Sequence, residues 1–243
     1  MEELCAAASK AIDEGSTLLI LSDRGAGREL APIPALLATA GLHHHLIRNG
    51  LRTRCGLVVE SAEPREVHHF ATLIGYGAAA VNPYLAFETL ANMIENGQIP
   101  EIKDAPTATK NYVKAVNKGM LKVMSKMGIS TLQSYCGAQI FEAVGLSAAV
   151  IDKYFTATPS RIGGIGLDEI ARETQMRHAR AFPPQHVTGS LDLDVGGQYQ
   201  WRRNGEYHLF NPVSIAKLQQ AARSNDEKLY GEYAELINSQ SRQ

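Results

Sequence analysis

The chain has 243 residues, of which 44% are hydrophobic and 20% charged, and its 24 basic and 25 acidic side chains give a formal net charge of -1. This composition is typical of a folded globular protein and excludes collagen-like, low-complexity and disulfide-scaffold classes. Because no cluster of Lys and Arg offsets the near-neutral charge, we expect no nucleic-acid partner. The length suits two small domains, one large domain or one closed eightfold β/α barrel.

No segment of the sequence has the length and composition of a membrane helix. The longest apolar runs, residues 18–21 and 56–59, are far shorter than the roughly 20 residues that cross a bilayer. The acidic start, Met1-Glu2-Glu3, also lacks the basic region of a secretory signal. We therefore expect no membrane partner and a reducing, cytoplasmic environment.

Residues 4–146 alternate short aliphatic runs with longer helical patterns. The predicted strands cover residues 17–22, 55–60, 79–82 and 130–135. The predicted helices cover residues 34–49, 64–74, 85–96, 107–127 and 138–144. Strands that alternate with helices of this length indicate crossover units and a parallel sheet. The predicted class is therefore α/β, with about four barrel-like β/α units, half of what a closed eightfold barrel requires.

The helix predicted at residues 107–127 carries an apolar stripe rich in methionine. Its members are Val113, Val116, Met120, Val123, Met124 and Met127. Methionine is common both in cores and at adaptable binding surfaces, and we interpret this stripe as core packing.

The pattern changes after Pro183-Pro184. Residues 196–210 predict a β-hairpin around Asn204-Gly205, which would pair Trp201 with His208 and Tyr199 with Phe210. Asn211 and Pro212 then predict the start of a helix, and a last helix carries the apolar residues Leu229, Tyr233, Leu236 and Ile237. This irregular tail of hairpin and helices has too few elements to close a core, so we expect it to begin a larger domain or to lie across a neighbour.

Histidines and cysteines supply few convincing metal ligands. The run His43-His44-His45 falls on one predicted helix, where consecutive side chains point about 100° apart and cannot converge on one ion. His68 and His69 lie on the next helix. The thiols Cys5, Cys55 and Cys136 are isolated, so they form neither a disulfide framework nor a CxxC pair, and we expect no metal site here.

Two loops have the composition of anion-binding loops. Residues 23–28, DRGAGR, follow a strand, but Leu30 replaces the third glycine of a dinucleotide fingerprint. Residues 161–166, RIGGIG, precede a helix whose first turn carries Asp168 and Glu169, and these carboxylates would repel phosphate. We interpret both as structural connections, with Asp23 and Arg24 as the best placed candidates for an active-site edge.

Longer strings carry a specific resemblance. They are residues 18–24 (LLILSDR), 31–38 (APIPALLA), 43–46 (HHHL), 59–61 (VES), 65–70 (REVHHF), 74–85 (IGYGAAAVNPYL) and 118–137 (KGMLKVMSKMGISTLQSYCG). In this order they resemble the central region of the large subunit of glutamate synthase. The resemblance covers essentially the whole chain, and it places residues 1–182 in the central domain and residues 183–243 in the linker and first elements of the FMN-binding domain.

The resemblance implies a role in a larger enzyme. Glutamate synthases hydrolyse glutamine in an amidotransferase domain and pass the ammonia to an FMN domain with a [3Fe-4S] cluster, where 2-oxoglutarate and a reductant yield glutamate. The central domain joins these two sites. The implied partners are the remaining domains and, in the full enzyme, a small NAD(P)H-oxidising subunit or ferredoxin. A plastid is the alternative location if the source is photosynthetic.

The catalytic motifs of this family are missing from the chain. Residue 2 is Glu and Cys5 lies in a helical pattern, so no processed N-terminal cysteine nucleophile is present, and three isolated cysteines cannot hold the cluster. No catalytic, cofactor-binding or metal residue can therefore be carried over, and we expect no cofactor to bind this segment. The expected function is a fragment of glutamate synthase that positions two active sites and helps to wall the ammonia route.

Two other functions remain open from the residues alone. The chain could be a freestanding α/β enzyme that binds a phosphorylated small molecule through Asp23, Arg24 and residues 161–166. It could also be a non-enzymatic protein that docks through Tyr199, Trp201 and Phe210. If the chain is instead a fragment that crosses a domain boundary, we expect it to expose apolar surface that other parts of the enzyme would cover.

Overall fold

The computed structural model of the chain describes residues 1–183 and 195–240. The chain divides into two compact units, Met1–Pro184 and Gln185–Gln243. The predicted change at residues 183–184 falls at the limit of the described residues, and Pro184 lies outside them. No helix in the two described ranges is long and apolar enough to cross a membrane.

The first unit alternates helices with strands. Its strands are β1 (Leu18–Ser22), β2 (Gly56–Glu60), β3 (Ala80–Asn82), β4 (Ala143–Leu146) and β5 (Ser160–Ile165). Its helices are α1 (Glu2–Asp13), α2 (Ala35–Arg48), α3 (Val67–Gly75), α4 (Tyr84–Glu95), α5 (Ala105–Lys126), α6 (Leu132–Tyr135), α7 (Ala148–Tyr154) and α8 (Leu167–Ala181). The first three predicted strands and the four helices after them, α2 to α5, are confirmed within a few residues.

The strands form two small parallel sheets. One has the order β1-β2-β3, with Ile20 beside Val58 and Val58 beside Ala80, and the other pairs β4 with β5. Neither sheet closes on itself among the described residues. The α/β class is confirmed, and the described part holds five β/α units where the sequence predicts about four.

Helix α2 is the centre of the core. Its Leu42 and Leu46 pack with Ile12 of α1 and Leu57 of β2, and all four are at most 1% exposed. On another side, α2 packs against α7. Burial of side chains of this size supplies roughly 1.5–3 kcal/mol each relative to exposure, so α2 holds the first sheet and α7 together.

The methionine stripe of α5 is mostly core. Val116, Met120 and Met124 are buried against Phe70 of α3, whereas Val113 and Met127, at the two ends of the stripe, are 41% and 53% exposed. Asp104 begins α5 by accepting the N–H of Thr107 at 2.7 Å. The core interpretation of the stripe is therefore confirmed for the three central residues.

Two predictions between residues 130 and 144 are wrong. The predicted strand at 130–135 is helix α6, because Thr131 caps its start by accepting the N–H of Ser134. The predicted helix at 138–144 instead leads into strand β4, whose partner β5 begins 14 residues after β4 ends. Pairing with a distant strand overrides local helical pattern here.

Residues 161–165, expected to form a glycine-rich loop, lie in β5. A Cβ placed on Gly164 would overlap the backbone carbonyl of Gly145 in β4. Gly164 therefore serves the close approach of two strands rather than an exposed connection.

The second unit contains α9 (Pro212–Ser224) and α10 (Glu227–Ser239), which pack against each other. The predicted cap of α9 is confirmed, since Asn211 accepts the N–H groups of Val213 and Ser214 at 3.0 and 3.2 Å. The predicted hairpin is wrong, because residues 195–210 contain no strand. A two-residue hairpin of the favoured kind needs positive φ at both turn positions, and only Asn204, at φ 61°, has it.

Candidate functional site

Polar side chains meet where the strands of the first sheet end. Ser22, Asp23 and Arg24 come from the end of β1, Glu60 and Ser61 from β2, and Asn82 and Tyr84 from β3 and the start of α4. We call this group, together with Glu88 of α4, the strand-end cluster. Binding sites of open parallel sheets lie at this edge, so it is the position at which chemistry is expected.

Asp23 joins all three strand ends. Its carboxylate accepts hydrogen bonds from Ser61 Oγ at 2.6 Å, from the N–H of Ala62 at 3.1 Å and from the hydroxyl of Tyr84 at 2.7 Å. Burial and the hydrogen bond to this carboxylate raise the pKa of Tyr84 to about 12. Both carboxylate oxygens are therefore engaged, and Tyr84 stays a proton donor at neutral pH.

Glu60 and Arg24 form the other half of the cluster. Glu60 accepts hydrogen bonds from Ser22 Oγ at 2.6 Å, Arg24 Nε at 2.8 Å and Asn82 Nδ2 at 3.2 Å, and the first two lower its pKa. The Arg24 guanidinium also reaches Glu88 at 3.2 Å and lies 4.0 Å from the centre of the Tyr84 ring. The two carboxylates, above all Glu60 and then Glu88, raise the pKa of Arg24.

A carboxylate next to the strand-end cluster fixes the start of α2. Glu63, two residues beyond Ser61, accepts the N–H of Ala35 at 2.9 Å. Pro34 precedes this N–H and provides no side-chain cap. Glu63 thus satisfies a donor that helix starts leave open, and it connects the strand ends to the helix at the centre of the core.

This arrangement forms a brace across the strand ends. The carboxylates, hydroxyls and guanidinium are bonded to one another in fixed pairs, and Ser61 is 1% exposed. Asp23 and Arg24 lie at the sheet edge as the sequence predicts, where they bond to the ends of the neighbouring strands and to α4.

The second glycine-rich segment, residues 161–166, also has its polar groups bonded within the chain. Arg161 donates to both carboxylate oxygens of Glu142, from Nε at 2.8 Å and from Nη2 at 3.1 Å. The N–H of Gly166 at the start of α8 is taken by Glu169 at 2.8 Å. Arg161 and the N-terminus of α8 are therefore each bonded to a carboxylate of the chain, Glu142 and Glu169.

Each of the three histidines of α2 contacts a different partner. Arg52 Nε donates to His43 Nδ1 at 2.9 Å, and burial together with this cation lowers the pKa of His43 to about 4. His44 Nδ1 lies 3.1 Å from the carbonyl of Tyr154, and His45 Nε2 lies 2.9 Å from Ser9 Oγ. No group of three or more His, Cys, Asp or Glu side chains able to hold a metal ion occurs within residues 1–183 and 195–240.

The aromatic residues of the expected docking face do not share a hairpin face. Tyr199 is fully exposed, and Trp201 and Phe210 are 45% and 59% exposed. Since residues 195–210 contain no strand, the predicted cross-strand pairs are absent from this part of the chain.

Sequence reasoning missed most of the strand-end cluster. It identified Asp23 and Arg24 from their place after a strand, but not Glu60, Ser61, Asn82, Tyr84 or Glu88. The same rule, applied after the second and third predicted strands, would have found Glu60, Ser61 and Asn82. Glu88 lies in the second turn of α4, and no local pattern in the sequence places it near Arg24.

Comparison with known proteins identifies the family. The sequence profile of the glutamate synthase central domain matches residues 1–147. The glutamate synthase [NADPH] large chain of Bacillus subtilis is 50% identical over 240 residues, which are 99% of this chain and 16% of the relative. The glutamate synthase [NADH] of Schizosaccharomyces pombe is 45% identical over 243 residues, which are 100% of this chain and 12% of the relative.

A plant protein gives the same result. The ferredoxin-dependent glutamate synthase 1, chloroplastic/mitochondrial, of Arabidopsis thaliana is 45% identical over 247 residues, or 97% of this chain and 15% of the relative. The fold and these matches define an α/β domain of the glutamate synthase central type. The chain belongs to the glutamate synthase family and corresponds to a segment of 12–16% of the length of these relatives. These matches do not support the alternative function, a freestanding phosphate-binding enzyme.

Proposed function

We propose that this chain is the connecting segment of a glutamate synthase, an oxidoreductase that converts glutamine, 2-oxoglutarate and a reductant into two molecules of glutamate. In this proposal it holds the amidotransferase site and the synthase site in register and helps to wall the ammonia route between them. The contribution is proximity, which prevents ammonia from being diluted before it reacts. The segment itself supplies no catalytic residue.

The observation that carries the proposal is similarity along the whole chain to enzymes named for three different reductants. The relatives described above are named for NADPH, for NADH and for ferredoxin, yet they match this chain at 45–50% identity over 97–100% of its length. A segment that chose the electron donor would be expected to differ among them. The similarity therefore favours a role that all three kinds of enzyme share.

The strand-end cluster supports a positional role. Asp23 bonds the ends of β1, β2 and α4 to one another, and Glu63 ties the same edge to α2. Residues locked by packing and by mutual hydrogen bonds hold an element within a fraction of an ångström. Such rigidity suits a spacer between two sites.

The residues of this segment do not fit the cofactors of the full enzyme. Cys5 is half-buried, Cys55 is buried in the core under α2 and Cys136 is exposed near Ile74, so the three thiols face different surroundings. An iron–sulfur cluster needs clustered thiolates. Residues 161–165, which the alternative function would use to bind phosphate, form a strand with Arg161 paired to Glu142, and they offer no cradle for FMN. In the proposal, both cofactors belong to other parts of the polypeptide.

The proposal extends to domains, partners and location. Residues 1–182 form the last part of the central domain, and residues 183–243 form the linker and first elements of the FMN domain. The partners are the other domains of the large subunit, with the small NAD(P)H-oxidising subunit or ferredoxin in the whole enzyme. We place the protein in the cytoplasm, or in a plastid if its source is photosynthetic, since several relatives are named chloroplastic.

A segment replacement tests the proposal. The Bacillus subtilis large chain, with its matching 240-residue segment replaced by this chain, is called the synthase chimera. We expect glutamine-dependent glutamate synthesis within about tenfold of the parent, since a shared positional role tolerates roughly half of the residues being different. Loss of this activity in a chimera with normal size and flavin absorbance would contradict the proposal.

A control variant separates folding from function. Leu42→Asp places an unpaired charge in the core of the same chimera, where Leu42 is 0% exposed, and should abolish activity by unfolding the segment. If this variant remained fully active, the segment would be dispensable for synthesis.

A further inference from the structure

Strand β1 is an edge strand with an open side. The N–H of Gly56 donates to Thr17 O at 2.9 Å, and the N–H of Asp23 donates to Glu60 O at 3.2 Å. Because the backbone groups of a parallel strand alternate between its two sides, residues 17, 19, 21 and 23 face β2. The N–H and C=O groups of Leu18, Ile20 and Ser22 therefore face the other side, where no strand of the described residues pairs with them.

Helix α1 is packed as a crossover helix. Its Ala8 and Ile12 lie in the cluster formed by α2 and the buried face of β2, with Leu19 and Leu21 of β1 beside it. A helix that lies on a parallel sheet and leads into one strand ordinarily comes from a neighbouring parallel strand. One side of β1 is already paired with β2. The strand that leads into α1 would therefore lie on the open side of β1.

A cavity of about 320 Å³ lies over the carboxyl ends of β1 and β2, beside α1 and the start of α2. Its lining includes Leu4 of α1, Ile20 and Leu21 of β1, Ala35 and Ala38 of α2, and Val59 of β2, so the cavity does not mark the free edge, which is marked by exposed side chains of β1. Leu18 and Ile20 are 55% and 60% exposed. Parallel sheets are normally covered on both faces, so this exposure marks a surface that another segment covers.

We propose that the open side of β1 receives a parallel β-strand from another stretch of the same synthase polypeptide, the stretch that α1 links to β1. The proposal rests on the proposed function, because it takes the chain as part of a longer polypeptide. The relatives leave ample chain to supply the strand, since this segment is only 12–16% of their length. The exposed Leu18 and Ile20 call for a strand with aliphatic side chains beside them, and main-chain hydrogen bonds to Leu18, Ile20 and Ser22 would set its register.

Hydrogen exchange with single-residue resolution tests this directly. In the 243-residue chain alone, we expect the amides of Leu18, Ile20 and Ser22 to exchange at least about 100-fold faster than those of Leu19 and Leu21, which face β2. In the synthase chimera, the first three should become at least about 100-fold slower. Equal, fast exchange of these three amides in the chimera would overturn the proposal.

The same experiment distinguishes other occupants. Protection in the chain alone that rises with protein concentration, together with dimers in sedimentation, would assign the edge to a second copy and overturn the proposal. An active chimera with unprotected β1 amides would contradict the strand but not the proposed function. An inactive chimera with protected amides would contradict the proposed function but not the strand.

A matched pair of variants gives an independent readout. Ile20→Lys adds a charge to the open edge, a change that blocks strand addition, whereas Leu121→Lys adds one to an exposed site on α5, where Leu121 is 66% exposed. In the chain alone, both should leave the melting temperature within about 2 °C. In the chimera, only Ile20→Lys should lower it, by more than about 5 °C, and equal effects of the two variants would contradict the proposal.

Discussion

The hydroxyl of Tyr84, at the start of α4, donates a hydrogen bond of 2.7 Å to Asp23 Oδ1, which follows β1. This single bond spans the sheet, because β2 lies between β1 and β3. The middle strand is joined to the same carboxylate through Ser61. Asp23, which the sequence suggests as part of an active-site edge, thus joins three strand ends.

The Tyr84 bond makes a measurable contribution to stability. Tyr84→Phe removes the donor and leaves Asp23 with Ser61 and Ala62, so we expect a loss of about 1.5–3 kcal/mol, the usual range for a bond to a charged group. Tyr112→Phe is the comparison, because its hydroxyl donates to the neutral carbonyl of Arg65 at 2.8 Å and should cost about 0.5–1 kcal/mol. Urea unfolding measures both, and an equal or smaller loss for Tyr84→Phe would contradict the brace.

Adjacent glycines in β5 should respond differently to substitution. A Cβ at Gly164 would overlap the Gly145 carbonyl, whereas a Cβ at Gly163 meets nothing within 4 Å. Gly164→Ala should therefore cost about 2 kcal/mol or more through forced separation of β4 and β5, and Gly163→Ala should stay within about 0.5 kcal/mol. Thermal unfolding of the two variants checks this, and similar melting temperatures would show that residues 160–165 are not paired as strand β5.

Acid should destabilise the chain through His43. Its pKa is lowered from 6.5 to about 4 by burial and by the Arg52 cation, so between these values the unfolded chain binds a proton that the folded chain does not. Stability present above pH 6.5 is therefore lost as the pH falls toward 4. The shift corresponds to at most about 3 kcal/mol, and partial solvent access reduces the expected loss to about 1–2 kcal/mol.

The His43→Asn variant provides the control for this pH dependence. Asn keeps an acceptor for Arg52 but does not titrate, so the decline in urea stability between pH 6.5 and 4 should become shallower. Some decline should remain, because burial also lowers the pKa of His45. An unchanged decline would mean that His43 is not the group responsible.

The sequence predicts the first half of the fold well because its signals there are local. Pro34 before α2 and Gly50 after it, with φ 67°, mark the ends of that helix without reference to anything distant. The strand at residues 56–60 has the aliphatic core Leu57-Val58-Val59, of which Leu57 and Val59 are buried, as expected for a parallel strand. These elements depend on short-range rules, and the structure confirms them.

The failures involve long-range contacts. Strand β4 carries Gly145 at φ 77°, which no local rule would place in a strand, and it exists because β5 pairs with it. The same applies to the candidate site, since Arg24 meets Glu88 across 64 residues of sequence. Sequence position identified Asp23 and Arg24 but could not show which partners they meet.

The most direct measurement of the central claim compares nitrogen sources in the synthase chimera carrying Asp23→Ala. A positional segment predicts that glutamate synthesis from glutamine falls several-fold and free ammonia escapes, while synthesis from added ammonium stays within about twofold of the unmodified chimera. If Asp23→Ala instead abolished both reactions in a folded chimera with normal flavin absorbance, Asp23 would take part in the chemistry and the positional account would be wrong.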